Sequence, residues 1–349
     1  MYFGYFLTFF ITVLFILIYR YLAGRVGLLD SPDARKNHEG HIPLVGGLAI
    51  FSSLLLTPLF VHEHIENFGT FLVCICFLLT MGLFDDVLEI KASLRILAQV
   101  IAASFMVLMG GVVLVDFGNI SPSGLFALGS FSFFITIFAT AGAINAVNFS
   151  DGLDGLAGGL VLITFSFFAI VTALAERWAE LEILLLLISA LLAFLMFNAR
   201  WAGRKKAAVF LGDAGSMCLG FTVAWFSIDL SQGDDRVVTP VTVLWFFALP
   251  LFDTVGVMLR RILKSQSPLL PDREHLHHIF VHAGFSAGQT VLIVYAFALI
   301  MGGVGLFAWY FKIPEFYMFT LFLIMFTLYF WGMMHAWKVM KLLREVSGH

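Results

Sequence analysis

The sequence predicts an all-α polytopic membrane protein of about eleven transmembrane helices, with its N-terminus periplasmic and its C-terminus cytoplasmic. Three observations carry this expectation. Hydrophobic residues fill 60% of the 349 positions and charged residues only 12%, about half the ~25% of a soluble domain. Phenylalanine occurs 40 times against 20 Lys plus Arg, so a water-soluble fold would lack the polar surface to cover itself. Finally, the basic residues sort onto alternate loops between the apolar runs, as the positive-inside rule requires.

A span needs about 20 apolar residues to cross roughly 30 Å of hydrocarbon. Runs of that kind lie near 2–22, 44–61, 68–84, 95–115, 128–147, 156–175, 181–198, 209–228, 239–259, 289–310 and 316–336. The first is apolar from Tyr2 to Tyr19 and is followed, not preceded, by Arg20 and Arg25. That order, without a small-residue cleavage site, reads as a retained span. With these spans, 17 basic residues fall on one side and three, Arg177, Arg236 and Lys312, on the other. The richer side is assigned to the cytoplasm.

The net charge of −3 says little, because in a membrane protein the side of each charge matters more than the sum. Cys74, Cys76 and Cys218 all sit in apolar runs. They form neither a disulfide framework nor a metal-ligand spacing and read as packing residues. The basic residues are spread over the inner loops, so nothing points to nucleic acid. The chain reads as one integral membrane domain over 1–349. Its polar chemistry gathers on cytoplasmic loops near 23–43, 85–94, 148–155, 199–213 and 260–288.

The first of these loops, LLDSPDARKNHEGHIPLVGG, places Arg35, Lys36, His38 and His41 before a turn into a span. It reads either as a positive-inside anchor or as a contact for an anionic substrate or lipid headgroup. The next, GLFDDVLEIKASLR, sets Asp85 beside Asp86 where a helix meets water. Adjacent carboxylates repel unless a cation neutralises them, and Mg²⁺ prefers carboxylate oxygens completed by water and substrate phosphates. A solvated helix end is the plainer reading of that pair.

In AINAVNFSDGLDGLAGG, the residues Asn145, Asn148, Asp151 and Asp154 recur every third position. On a helix they form one polar stripe. Gly152 and Gly155 would instead open the backbone to a phosphate. Four short polar side chains in register at a membrane boundary have no packing role, which favours function. Asp213, in VFLGDAGS, lies between glycines at the start of an apolar run. It either complements the helix dipole or touches a ligand. Asp253 sits seven residues before Arg260, roughly 10 Å inside its span. It is either a functional ionisable group or a structural acceptor.

The last loop, SPLLPDREHLHHIFVHAGFS, holds Asp272, Arg273, His275, His277 and His278. Without Cys or an HExxH spacing it does not read as zinc. Its Arg and His donors suit phosphate oxygens. Taken together, the acids and the His/Arg loop fit a Mg²⁺-assisted reaction between two anionic phosphates, one of them held in the bilayer. A secondary transporter is the rival from another class, although transporters place their sites near the bilayer midplane.

The ordered set GLFDD, NAVNFSDGLDGLAGG, FLGDAGS and PDREHLHH resembles the polyprenyl-phosphate N-acetylhexosamine-1-phosphate transferase family. RKNHEGHIPLVGG and SPLLPDREHLHHIFVHAGF look most like its WecA-type branch, which takes undecaprenyl phosphate as acceptor. The resemblance covers about residues 20 to 340. It implies transfer of GlcNAc-1-phosphate from UDP-GlcNAc to undecaprenyl phosphate in a bacterial inner membrane, with release of UMP. The product would prime O-antigen or enterobacterial common antigen. The teichoic-acid-initiating type performs the same chemistry with another UDP-sugar.

The resemblance also assigns roles. Mg²⁺, or Mn²⁺, would be held by Asp213 and Asp86. Asp85 or Asp86 would act as base or position the acceptor, and Asp151 and Asp154 would shape the site. Lys36, His38, Asn145, Asn148, Arg273, His275, His277 and His278 would bind substrate. One-step transfer and a route through an aspartyl-phosphate both remain open, and a homodimer is compatible with the resemblance.

Overall fold

In the computed structural model the residues described are 2–30, 40–56, 67–200, 204, 206–267 and 275–335. Thirteen α-helices dominate among them: α1 (Tyr2–Val26), α2 (Gly46–Leu54), α3 (Phe68–Leu88), α4 (Ala92–Gly110), α5 (Ser132–Ser150), α6 (Leu156–Leu174), α7 (Trp178–Asn198), α8 (Gly212–Asp229), α9 (Pro240–Phe246), α10 (Ala248–Leu263), α11 (Leu276–His282), α12 (Ala287–Tyr310) and α13 (Glu315–Met334). One two-residue pairing, β1 (Leu29–Asp30) with β2 (Ile42–Pro43), is antiparallel. Lipid supplies no hydrogen bonds, so a spanning backbone must pair internally, and helices do this.

Eight helices are long and apolar enough to cross a membrane, which makes the chain a multi-pass membrane protein. The bent pair α9–α10, which turns by 85°, would make a ninth. Pro250 has no N–H to give to the Phe246 carbonyl, so the ladder of α9 cannot run on into α10. The eleven expected spans therefore are not all met among the described residues. Only nine residues of the 44–61 run are helical as α2, and 57–66 lie outside the described set. The 209–228 run forms α8, with 18 residues. Its Gly, Ser, Thr and Asp content makes it less apolar than those eight. It is almost wholly buried, so it faces protein and not lipid.

The chain divides into two compact units. The first comprises Met1–Leu114 with Ser130–Val237, and the second Val115–Gly129 with Val238–His349. In the first unit α8 is the central helix, packed on α2, α3, α5 and α6. Between helices in lipid the drive is close van der Waals contact, which small residues permit. A Cβ at Gly82 of α3 would overlap the Ala214 backbone of α8. The approach that sets Asp85 and Asp86 against the start of α8 therefore depends on this glycine. Around α8 the core is aromatic and aliphatic, with Phe51, Phe165, Phe168, Phe194 and Phe221 fully buried.

The second unit packs α9, α10, α12 and α13 together. Its core centres on Trp245, Phe252 and Phe322, with ring centroids 5.6 Å apart for Trp245–Phe322 and 4.8 Å for Phe252–Phe322.

Candidate active site

The site in the first unit begins where α3 ends. Asp86 accepts hydrogen bonds from the backbone N–H of Asp213 at Oδ1, 2.7 Å, and of Ala214 at Oδ2, 3.2 Å. The first amides of a helix have no partner within it, so the carboxylate of α3 caps α8 from outside and meets the positive end of its dipole. Gly212, at φ 78, makes the entry turn, and a Cβ there would lie 2.7 Å from Asp86 Oδ2.

Asp85, one position earlier, points elsewhere. Its Oδ1 accepts from the Ile90 N–H at 3.0 Å, and its Oδ2 lies 3.2 Å from Arg95 Nη1. Arg95, from the first turn of α4, also comes within 3.7 Å of Asp213 Oδ1. From α5, the Asn148 amide donates to Asp213 Oδ1 at 2.6 Å and to Ser216 Oγ at 2.9 Å. Four helices thus converge on Asp213. Its Oδ1 is held by Asn148 and Arg95, while Oδ2 accepts no hydrogen bond among the described residues.

The expected polar stripe is divided. The helix α5 stops at Ser150, and Asp151 and Asp154 lie on the turn into α6. Asp151 is exposed and accepts no hydrogen bond among the described residues. Its carboxyl is raised to about 7, by desolvation first and then by the like charges of Asp213 and Asp154. The exposed surface admits water, which screens part of that effect.

Asp154 is engaged instead. Its Oδ2 accepts from Arg200 Nε at 2.7 Å and from the Ala207 N–H at 3.0 Å. Asn198 works beside it, accepting from the Gly155 N–H at 2.7 Å and donating to the Val209 carbonyl at 2.9 Å. The pair braces the approach of the chain to α8. Asn145 donates to Gln99 Oε1 and to the Ala141 carbonyl, both at 2.8 Å. It ties α5 to α4 and does not touch Asp213.

Carboxylate oxygens are the donors that suit Mg²⁺, which takes one or two of them and fills its remaining positions with water and phosphate. Among the described residues no group of three His, Cys, Asp or Glu side chains is placed to hold a metal unaided. A site of the kind completed by substrate does not need three. The open Oδ2 of Asp213, with Asp151 and Asp85 nearby and Arg95 the one ion-paired cation at Asp85 and Asp213 among the described residues, fits such a cation. Asp86 spends both oxygens on backbone amides, so its visible work is to fix the start of α8.

In the second unit Asp253 organises the histidine segment. Its Oδ2 lies 2.8 Å from His275 Nδ1, and its Oδ1 accepts from the Leu276 N–H and the Tyr329 hydroxyl, each at 2.8 Å. As an acceptor it ties α10 to the start of α11 and to α13. The rings of His275 and His277 lie nearly parallel with centroids 5.8 Å apart, and His278 is 4.2 Å from His277. Burial, then His278, pushes His277 down to about 3, so it is neutral at pH 7. Lys36, His38 and Arg273 lie outside the described residues.

Arg95, Ser216, Gln99, Arg200, Asn198 and Tyr329 join these networks although their motifs did not announce them. Arg95 alone had a readable signal, since a basic residue in the first turn of a helix opposes the dipole and needs a local acid.

A family profile described as glycosyl transferase family 4 matches residues 68–231, the stretch that supplies Asp85, Arg95, Asn148, Asp151 and Asp213. The chain is 37% identical over 340 residues to the undecaprenyl-phosphate alpha-N-acetylglucosaminyl 1-phosphate transferase of Escherichia coli O157:H7, covering 97% of this chain and 92% of that protein. The protein of the same name from Haemophilus influenzae is 36% identical over 345 residues, 98% of this chain and 96% of its own. That from Yersinia pestis is 34% identical over 338 residues, 97% and 92% of the two chains. With similarity running over 97–98% of its length and so through both units, the chain belongs to glycosyl transferase family 4 and is a membrane phosphotransferase of the polyprenyl-phosphate N-acetylhexosamine-1-phosphate transferase kind.

Proposed function

We propose that this protein transfers GlcNAc-1-phosphate from UDP-GlcNAc to undecaprenyl phosphate, forming undecaprenyl-diphospho-GlcNAc and UMP at the cytoplasmic face of a bacterial inner membrane. The observation that carries the reading is the convergence of Asp85, Arg95, Asn148 and Asp213 beside Asp151, from four helices and one turn. The names of the relatives support donor sugar and acceptor lipid. The excess of basic residues on one side supports the orientation, and the product would prime O-antigen or enterobacterial common antigen.

In the step proposed, an oxygen of the lipid phosphate attacks the β-phosphorus of the UDP-sugar. The bond from that phosphorus to the oxygen bridging to UMP breaks, and the anomeric C–O bond is untouched. Mg²⁺ or Mn²⁺ at Asp213 would offset the charge of the phosphates. Asn148 and Arg95 fix the Asp213 carboxylate, Asp86 fixes the helix that carries it, and Arg95 adds positive charge where two anions meet. Holding the partners in line supplies much of the rate in reactions of this class. Asp85 positions the acceptor or takes its proton. The His275–His278 segment, with Arg273, binds the phosphates of the sugar nucleotide.

Purified protein given undecaprenyl phosphate, Mg²⁺ and, in turn, UDP-GlcNAc, UDP-GalNAc or UDP-MurNAc-pentapeptide tests this. UMP release and lipid-linked product with UDP-GlcNAc alone are expected. Product with only one of the other two donors would replace the substrate assignment, and no product with any donor would sink the reaction.

A further inference from the structure

The transfer reaction gives the histidine segment a task but leaves the acid that contacts it, Asp253 of α10, without one. Asp253 is only 7% exposed, and an ionisable group buried within an apolar segment is costly unless it is paired. Three donors meet it. Its Oδ1 accepts from the Leu276 N–H and the Tyr329 hydroxyl, while its Oδ2 faces His275 Nδ1. The proton between Asp253 and His275 belongs on the ring, because imidazole is the stronger base and a carboxylate only accepts. Nδ1 therefore carries hydrogen and donates to Oδ2.

This contact does more than join helices. Tyr329 and the Leu276 N–H already tie α13 and α11 to Asp253 without an imidazole. The bond to Nδ1 adds orientation, since the bond made by one ring nitrogen of histidine decides what the other can do. The ring is also fixed in plane. It lies 5° from parallel with His277 at a centroid distance of 5.8 Å and is itself 4% exposed. One carboxylate thus sets both the ring of His275 and the main chain of the next residue. Nε2 is the ring nitrogen that Asp253 does not hold, so any contact between His275 and substrate runs through Nε2.

We propose that Asp253 is a positioning residue for the transfer reaction: by holding His275 at Nδ1 it presents Nε2 to the phosphates of the sugar nucleotide, on a ring that can carry positive charge. The inference rests on the phosphate role given to His275 above. Asp253→Asn would undo the arrangement in a defined way. The amide oxygen must stay with Leu276 and Tyr329, which are both donors, so the N–H₂ faces Nδ1. The ring then keeps its one proton at Nε2 and cannot become a cation.

The test uses the full chain in detergent or liposomes. Nitrogen NMR of protein carrying isotopically labelled histidine, with His275 assigned by its loss in His275→Asn, should show Nδ1 protonated in the wild type and bare in Asp253→Asn. Tyr329→Phe, which keeps the carboxylate, should retain the Nδ1 proton. In Asp253→Asn the KM for UDP-GlcNAc should rise about tenfold or more, the scale for loss of a group that orients a ligating histidine. The KM for undecaprenyl phosphate should not move, the split expected when an interaction with the donor alone is lost. Combined with His275→Asn, the Asp253→Asn change should cost nothing further, because it acts through that ring. A bare Nδ1 in the wild type would overturn the proposal without reference to turnover, and additive losses in the double variant would overturn the Asp253 role alone. A wild-type KM in His275→Asn would overturn the donor role of His275 and the proposal with it. If Asp253→Asn does not fold, Asp253→Glu, which displaces the carboxylate by one methylene, takes its place in the same cycle, and additive losses there overturn the proposal.

Discussion

Asp86 holds Asp213 through the backbone: the carboxylate at the end of α3 receives the N–H groups of Asp213 and Ala214 that open α8. One acid of the cluster therefore places another. Asp86→Asn keeps one acceptor oxygen but turns an amide N–H₂ toward a backbone donor. Loss of a cap costs about 1–2 kcal/mol, so the melting temperature should drop. Turnover should fall at least 100-fold as the start of α8 shifts. Asp86→Glu should recover neither, because the longer side chain overshoots the turn at Gly212. Near-normal turnover in Asp86→Asn would contradict the positioning role.

Asp213→Asn keeps shape and its contact with Asn148 while removing charge. It should leave the melting temperature within a few degrees and lower kcat by about 100- to 1000-fold, the range seen when a group stabilising transition-state charge is lost. Titration of activity against Mg²⁺ should show a weaker metal requirement in the residual rate. Wild-type kcat in this variant would remove Asp213 from the site.

Arg95 is the cation paired with both Asp85 and Asp213. Arg95→Gln leaves those two acids to repel each other and should reduce kcat/KM by about tenfold or more. Arg95→Lys should restore only part, since one ammonium cannot reproduce the guanidinium fork. Steady-state kinetics of the three proteins decide this, with equal kcat/KM in all three refuting it.

The carboxyl of Asp151 is raised from 3.8 to about 7. Between roughly pH 4 and pH 7 the folded protein then holds a proton that the unfolded chain has lost. Stability falls with rising pH wherever the native state binds more protons. In EDTA, the melting temperature of the wild type should therefore decline across that window more than that of Asp151→Asn. The exposure of Asp151 keeps the difference small. A parallel decline in the two proteins would refute the shift.

Tyr329 donates to Asp253, which also receives His275 and Leu276. Tyr329→Phe removes one bond to a buried carboxylate and should cost about 1.5–3 kcal/mol, the range for hydrogen bonds to charged groups. The loss should appear as a lower thermal midpoint in detergent. An unchanged midpoint would show that Tyr329 does not stabilise Asp253.

Gly82→Ala places a methyl group on the Ala214 backbone. Overpacking of this kind costs about 1–3 kcal/mol and should reduce both the melting temperature and turnover, because Asp85 and Asp86 ride on the same helix. Gly4→Ala, where a Cβ meets nothing, is the control and should change neither.

Membrane residence was legible in the sequence because it follows from composition and run length, which need no tertiary information. The acids at 85, 86, 151, 154 and 213 were legible because polar residues at span ends stand out against an apolar chain. Their division of labour was not. Spacing by three placed Asn145, Asn148, Asp151 and Asp154 on one stripe. Within α5, however, Asn145 reaches Gln99 of α4 and Asn148 reaches Asp213 of α8, and the end of α5 at Ser150 leaves Asp154 on the following turn, paired with Arg200. The count of eleven spans is not met among the described residues, and hydropathy along the chain does not distinguish a helix facing lipid from one such as α8 that is enclosed by others.

By itself, then, the sequence determined the solvent, the helices and the kind of chemistry, since these depend on residue type and local order. The tertiary structure alone decided which acid holds a helix, which holds a loop and which stays open. Hydrogen bonds between residues more than a hundred positions apart, such as Asp86 with Asp213, follow from where helices pack, and no local pattern encodes that.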